Sequence, residues 1–303
     1  MNLRLKSKFT KFSVVFGLLI TGCAPSPVQN QDVSSIPERV LTFGPNCTEL
    51  FCALGLQDRV IGSTLNNHSR GPLERYKEEY ASIPQLTYGS ATREAVMGSG
   101  ADFIYGIDWE FGEEGIRLDE LEQFGIKAMI NDAQTIEEEF EEIEELGKRF
   151  QIEEKADALI QDQKDRIQKI EDQLKNKEPM NVLVYDSEAG GVKSASGSNF
   201  ESRLIEKAGG RNIFHDLQDR AWITISPEEI LHRDVDVIVI HDYDVPSLEE
   251  KIETIKSDPA LSQLEAVQQN RFVPVSLENV LPGSRMADTI ELFYQGFQNG
   301  GLQ

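Results

Sequence analysis

One stretch of this chain limits the folds open to it more than any other. Residues 152–177 contain no glycine or proline and are dense in charge, with Ala156, Leu159, Ile160, Ile167, Ile170 and Leu174 near one helical face. At about 1.5 Å per residue, such a stretch makes a rod roughly 39 Å long. On either side of it the chain alternates short apolar runs with helical stretches, the pattern of an α/β fold. The expected architecture is therefore two Rossmann-like lobes joined by a single long α-helix. A coiled-coil dimer is the competing reading of the helix. Too few heptads, with Gln163 on the seam, give that reading little support, so a monomer is expected.

Strands are expected at residues 40–43, 59–62, 102–105 and 128–130 in the first half, with a helix at 118–124. The second half repeats the plan at 182–185, 235–240 and 271–275. Asn46 with Glu49, and Ser198 with Glu201, have the spacing of capping boxes. Helices opened there would stop at Gly55 and at Gly209-Gly210. The domain boundaries that follow are 39–150 for the N-terminal lobe, 151–178 for the helix and 179–303 for the C-terminal lobe.

The N-terminus is a separate matter. Arg4, Lys6, Lys8 and Lys11 precede an apolar run at residues 14–20, well short of the ~20 residues that cross a bilayer. The run ends in Ile20-Thr21-Gly22-Cys23, which resembles the lipobox of bacterial lipoproteins, where the cysteine is acylated. Residues 1–22 are thus expected to be a lipoprotein signal peptide. Residues 23–38, rich in Pro, Ser, Gln and Asn, are read as a flexible linker anchored through a lipid on Cys23. The mature protein would be extracytoplasmic and lipid-anchored to the cell membrane. Its net charge of −22, from 52 acidic and 30 basic residues, repels phosphate backbones and argues against nucleic acid as a partner. Cys47 and Cys52 are spaced poorly for a disulfide and are read as small, partly buried thiols.

A weak internal repeat links the halves. Thr92-Arg93-Glu94-Ala95-Val96 leads to the strand opened by Asp102, and Ser226-Pro227-Glu228-Glu229-Ile230-Leu231 leads to the strand opened by Asp236. In each copy a hydroxyl residue is placed to cap a short helix, which puts Glu94 and Glu228 at its second position. Helix-dipole pairing accounts for one such acid. Equal spacing in both halves asks for more than that.

These elements in this order resemble the class III solute-binding lipoproteins of ABC importers, the cobalamin, ferric siderophore and haem class. The resemblance runs over nearly the whole mature chain: residues 39–50 into Ala53-Leu54-Gly55-Leu56, the long central helix, Ala208-Gly209-Gly210-Arg211-Asn212, residues 225–231, and Pro282-Gly283-Ser284-Arg285. It implies two α/β lobes with a ligand cleft between them, little lobe movement on binding, and one surface glutamate per lobe meeting arginines of the permease. Glu94 and Glu228 match those positions. The implied function is capture of an iron complex or corrinoid and its delivery to an ABC importer permease dimer. A haem carrier of the same family is the alternative.

In open α/β sheets ligands sit beyond the carboxyl ends of the strands. That rule nominates Asn46, Thr48, His68 and Trp109 in the first lobe, and Ser198, Trp222, Tyr243 and Arg285 in the second. Trp109 and Trp222 suit a large flat ligand, and Arg285 suits a carboxylate or iron-bound oxygens. His68 and His241 are read as loop residues; Tyr243 or His68 is a candidate haem-iron ligand. No bare-metal site and no intrinsic cofactor are expected. A lipid-anchored hydrolase is the rival from another class. It lacks a Gly-x-Ser-x-Gly elbow, and no enzymatic activity is expected.

Overall fold

Every residue of β1 (Val40–Phe43) is buried, as a central strand covered on both faces must be. In the computed structural model, which describes residues 36–65, 70–243 and 245–301, β1 is the middle of a parallel sheet ordered β3-β2-β1-β4-β5. The other strands are β2 (Val60–Leu65), β3 (Gln85–Tyr88), β4 (Phe103–Ile107) and β5 (Lys127–Asn131). Helices α1 (Pro45–Ala53), α2 (Lys77–Ala81), α3 (Arg93–Gly98) and α4 (Leu118–Gln123) carry the chain from each strand to the next. After β5 comes α5 (Ile136–Phe150), opened by a Thr135–Glu138 capping box. Gln151 then adopts a left-handed conformation and turns the chain into α6 (Glu153–Leu174). The signal peptide, Cys23, most of the linker and His68 lie outside the described residues.

The second lobe is built on β6 (Met180–Tyr185). A ribbon follows, β7 (Ser187–Glu188) and β8 (Val192–Ala195), then α7 (Phe200–Lys207), β9 (Gly210–Asn212) and β10 (Trp222–Ile225). After α8 (Pro227–Ile230), β11 (Val237–His241), α9 (Leu248–Ser257), α10 (Glu265–Gln268) and β12 (Phe272–Val275), the chain closes with α11 (Leu277–Val280) and α12 (Met286–Asn299). The main sheet is parallel, ordered β12-β11-β6-β9. The ribbon β10-β8-β7 is antiparallel.

The long helix spans 22 residues, shorter at both ends than the pattern suggested. Lys175 leaves the helical region and Asn176 is left-handed, so the charged tail cannot continue it. Both nominated capping boxes are corrected. Gly44, at φ 101, is the N-cap of α1 and has no side chain to give; Glu49 is instead buried in an ion pair. Asn199, not Ser198, caps α7, accepting from Glu201 N at 3.0 Å.

One apolar cluster runs from Phe51, Phe103 and Phe150 through Ile160 and Ile167 of α6 to Val182, Leu204 and Phe293. It therefore joins both sheets through the central helix, while Leu41 and Ile104 on one outer face and Leu183 and Ile238 on the other belong to separate clusters. Polar contacts fix the same joint. Arg285 forms a bidentate pair with Glu49 at 2.7 and 2.6 Å, and Asn46 Nδ2 donates to Pro282 O at 2.8 Å. Arg75 pairs with Asp288 at 2.8 and 2.7 Å. Gln163 of α6 clamps the start of α12, donating to Ser284 O at 2.8 Å and accepting from Ala287 N at 2.7 Å. Cys47 and Cys52 are free thiols, and both are buried rather than partly so.

Candidate ligand cleft

In the first sheet the strand order reverses between β1 and β4, and the loops after β4 and β5 open beside that point. Ile107, Asp108 and Trp109 from the first loop and residues 131–134 from the second form one wall of a cleft of about 280 Å³. The opposite wall comes from the second lobe: Asn199 and Phe200 at the start of α7, Ala221 and Trp222 at the start of β10, and Val280, Leu281 and Pro282 after α11. Trp109 and Trp222 thus arrive from different lobes at one cavity. Trp109 is 51% exposed, a large apolar surface left open to solvent.

In the second sheet the order reverses between β6 and β11, and there the crevice is filled by protein. His241, the last residue of β11, is fully buried rather than in a loop. Its Nδ1 lies 2.9 Å from Asp186 Oδ1 and its Nε2 3.0 Å from Glu201 Oε2. The Tyr243 hydroxyl donates to the same Asp186 oxygen. Lys251, buried from α9, donates to the carbonyls of Asp186 and His241 at 2.6 and 2.7 Å and lies 3.8 Å from the Tyr243 ring centre. Burial alone would lower the imidazole's pKa, but Glu201 and Asp186 outweigh it and raise it to about 9. For Asp186 burial works against the charge, yet His241, Tyr243 and Ser187 hold its carboxyl well below the usual range. Lys251 is pulled down by burial to about 8. The Trp222 ring stands edge-on to His241 at 5.9 Å, so this cluster backs the cleft wall.

The nominated ligand residues divide accordingly. Trp109 and Trp222 line the cleft together. Ser198 is half-buried just before α7, within 3.2 Å of Ser196 Oγ. Thr48 faces the core, its hydroxyl 2.9 Å from Thr42 Oγ1 and donating to Gly44 O at 3.0 Å. Asn46 is buried as a pin between the lobes. Tyr243 is buried behind the cleft wall, its hydroxyl donating to Asp186, and does not line the cavity. Arg285, nominated by the sequence as a ligand contact, instead gives its donors to Glu49, to Asn279 at 3.0 Å and to Gly71 O at 2.6 Å. His68 lies outside the described residues.

Residues 131–134, Val280 and Leu281 are not singled out by the sequence, and Pro282 is marked there only by the resemblance, although the strand-end rule covers the loops after β5 and β12. Asn131 also reaches inward, its Nδ2 donating to Tyr105 Oη at 2.7 Å and Glu139 Oε2 at 3.0 Å. Burial and the nearby Glu142 push the Glu139 carboxyl well up, and burial raises Glu142 to about 7.

The two acids singled out by the repeat sit alike. Glu94 and Glu228 are both exposed, each second in a short helix. Thr92 Oγ1 accepts from Ala95 N at 3.3 Å, and Ser226 Oγ accepts from Glu229 N at 3.2 Å.

Two parallel-sheet lobes, a long helix between them and an interlobe cleft define the class of two-lobed solute-binding proteins. Residues 40–275 match the family of periplasmic binding proteins, and the chain belongs to that family. It is 24% identical over 269 residues to an uncharacterized ABC transporter substrate-binding lipoprotein of Bacillus subtilis, covering 86% of this chain and 81% of that one. It is 26% identical over 204 residues to a vitamin B12-binding protein of Photorhabdus laumondii, covering 67% and 70%. Its fold is similar to that of a periplasmic binding protein from Veillonella parvula, with a TM-score of 0.81 and 24% identity over 88% of this chain and 93% of that one.

Proposed function

We propose that this protein captures an iron complex such as a ferric siderophore, or a corrinoid, outside the cytoplasm and delivers it to an ABC importer. The observation that carries the reading is the pair of tryptophans, one from each lobe, on facing walls of one cleft. Flat aromatic faces with a few amides between them suit a bulky planar or globular chelate. A cavity of about 280 Å³ seats part of such a ligand and leaves the rest in solvent. The names of the relatives, a B12-binding protein among them, point the same way.

Delivery rests on two further parts. A lipid on Cys23 would hold the protein at the membrane, and residues 23–38 would act as a tether that raises its concentration near a permease. Glu94 and Glu228 would meet cationic side chains of the permease dimer, one from each lobe. No residue is assigned to catalysis.

Tryptophan emission tests the binding step directly, because the chain has only two tryptophans and both lie in the cleft. Titrated with ferric siderophores, cobalamin and haem, the protein should be quenched by at least one at micromolar concentration or below. Unchanged emission across the whole set would remove the reading.

A further inference from the structure

The cleft is unusual in its charge. Of the described residues that line it, the ionisable ones are Asp108 and Asp132, both exposed; no lysine, arginine or histidine is among them. The remaining polar side chains are carboxamides, those of Asn131, Gln134 and Asn199. We infer that the cleft takes a metal chelate carrying no net negative charge, and that Asp108 and Asp132 reject anionic ones. This rests on the carrier reading above and narrows it to a ligand class.

The positive groups described nearest the cleft have carboxylate partners of their own. His241 stands behind Trp222 but is held between two carboxylates, Asp186 and Glu201. Lys193 lies 5.1 Å from the Trp222 ring centre and 3.8 Å from Asp186 Oδ2. The start of α7 faces the cleft, and its second and third amides are taken: Glu201 N donates to Asn199 Oδ1 at 3.0 Å and Ser202 N to Asn199 O at 3.0 Å. The buried carboxylate of Glu201 in that first turn offsets the helix's positive end. Arg220 neighbours Ala221 in sequence but does not line the cavity. Among the described residues that line the cavity, a bound anion would therefore meet two carboxylates and no cation, in a site where water screens less than in bulk. An uncharged macrocycle with a carboxamide periphery meets matching donors and acceptors instead, and a cationic chelate gains from both acids.

Four probes separate the outcomes: cyanocobalamin, uncharged overall; ferrioxamine B, a cation; and ferric enterobactin and haem, both anions. Each is titrated by tryptophan quenching into the purified protein and into the Asp108→Asn/Asp132→Asn variant at low and high salt. The expected result is binding of cyanocobalamin, ferrioxamine B or both about tenfold or more tighter than either anion at low salt. The variant should narrow that gap, gaining affinity for anions and losing it for ferrioxamine B. An anion bound as tightly as the best uncharged or cationic probe, or anion affinity unmoved in the variant, overturns the inference and leaves the carrier reading standing. Silence from all four takes down both.

Discussion

At the scale of single residues, the most demanding group in the molecule is His241. An imidazolium with no solvent contact is tolerated because each ring nitrogen meets a carboxylate, at 2.9 and 3.0 Å. Replacing it with Gln would leave Asp186 and Glu201 buried with too few donors. The expected loss is roughly 3–5 kcal/mol in a urea titration. The sign of the pH dependence follows from the raised pKa. His241's contribution is fully present below pH 6.5 and is lost as pH rises through about 9. Lys251, lowered to about 8, works the opposite way between there and its ordinary value. The informative quantity is therefore the difference between wild type and the His241→Gln variant. That difference should shrink between pH 6.5 and 9.5, and a constant difference would mean that the ring is neutral in the fold.

At the scale of elements, much of the fold is written in local pattern, and the failures have a common cause. The run at 40–43 is apolar enough to be central, and β1 ends at its last residue. The hydroxyl caps at Thr92 and Ser226 operate as their spacing indicates. What local pattern cannot carry is a partner far along the chain. Glu49 reads as the acid of a capping box because Asn46 lies three residues before it. Its actual partner, Arg285, is 236 residues away. Arg285 likewise reads as a free turn cation, and Tyr243 as a strand-end ligand, because nothing near them in sequence reveals the crevice-filling cluster or the joint between lobes.

The Glu49–Arg285 pair joins α1 to the start of α12 and is almost wholly buried on both sides. Either Glu49→Gln or Arg285→Met alone should cost about 3–5 kcal/mol, because each strands a buried charge. Glu49→Leu with Arg285→Met should recover most of that loss by removing both charges together. Additive losses in the double variant would mean that the two side chains act independently, through their other partners Leu73 N, Asn279 and Gly71 O, and not through each other.

At the scale of the whole molecule, the lobes act as two ends of one body. The core is continuous through α6, and Asn46, Glu49 and Arg75 are each tied across to the second lobe. Such a frame would hold Glu94 and Glu228 at a set separation, as the docking on a permease dimer proposed above would need. Their energetic role within the fold is small. Both are exposed first-turn acids, so Glu94→Ala or Glu228→Ala should change stability by only about 0.3–1 kcal/mol through the helix dipole. Neither lines the cleft, so chelate affinity by tryptophan quenching should stay within about twofold of wild type. Uptake by whole cells that depend on this carrier should fall in each single variant and be lost in the double one if both acids meet the permease as proposed. Charge is the element that matters at such a contact. Glu94→Gln with Glu228→Gln, which keeps shape and removes charge, should therefore fail as fully as the alanine pair. Normal uptake by the glutamine pair would make the two acids partners of the helix dipole and nothing more; lost affinity in either double variant would place them in the cleft's own mechanics.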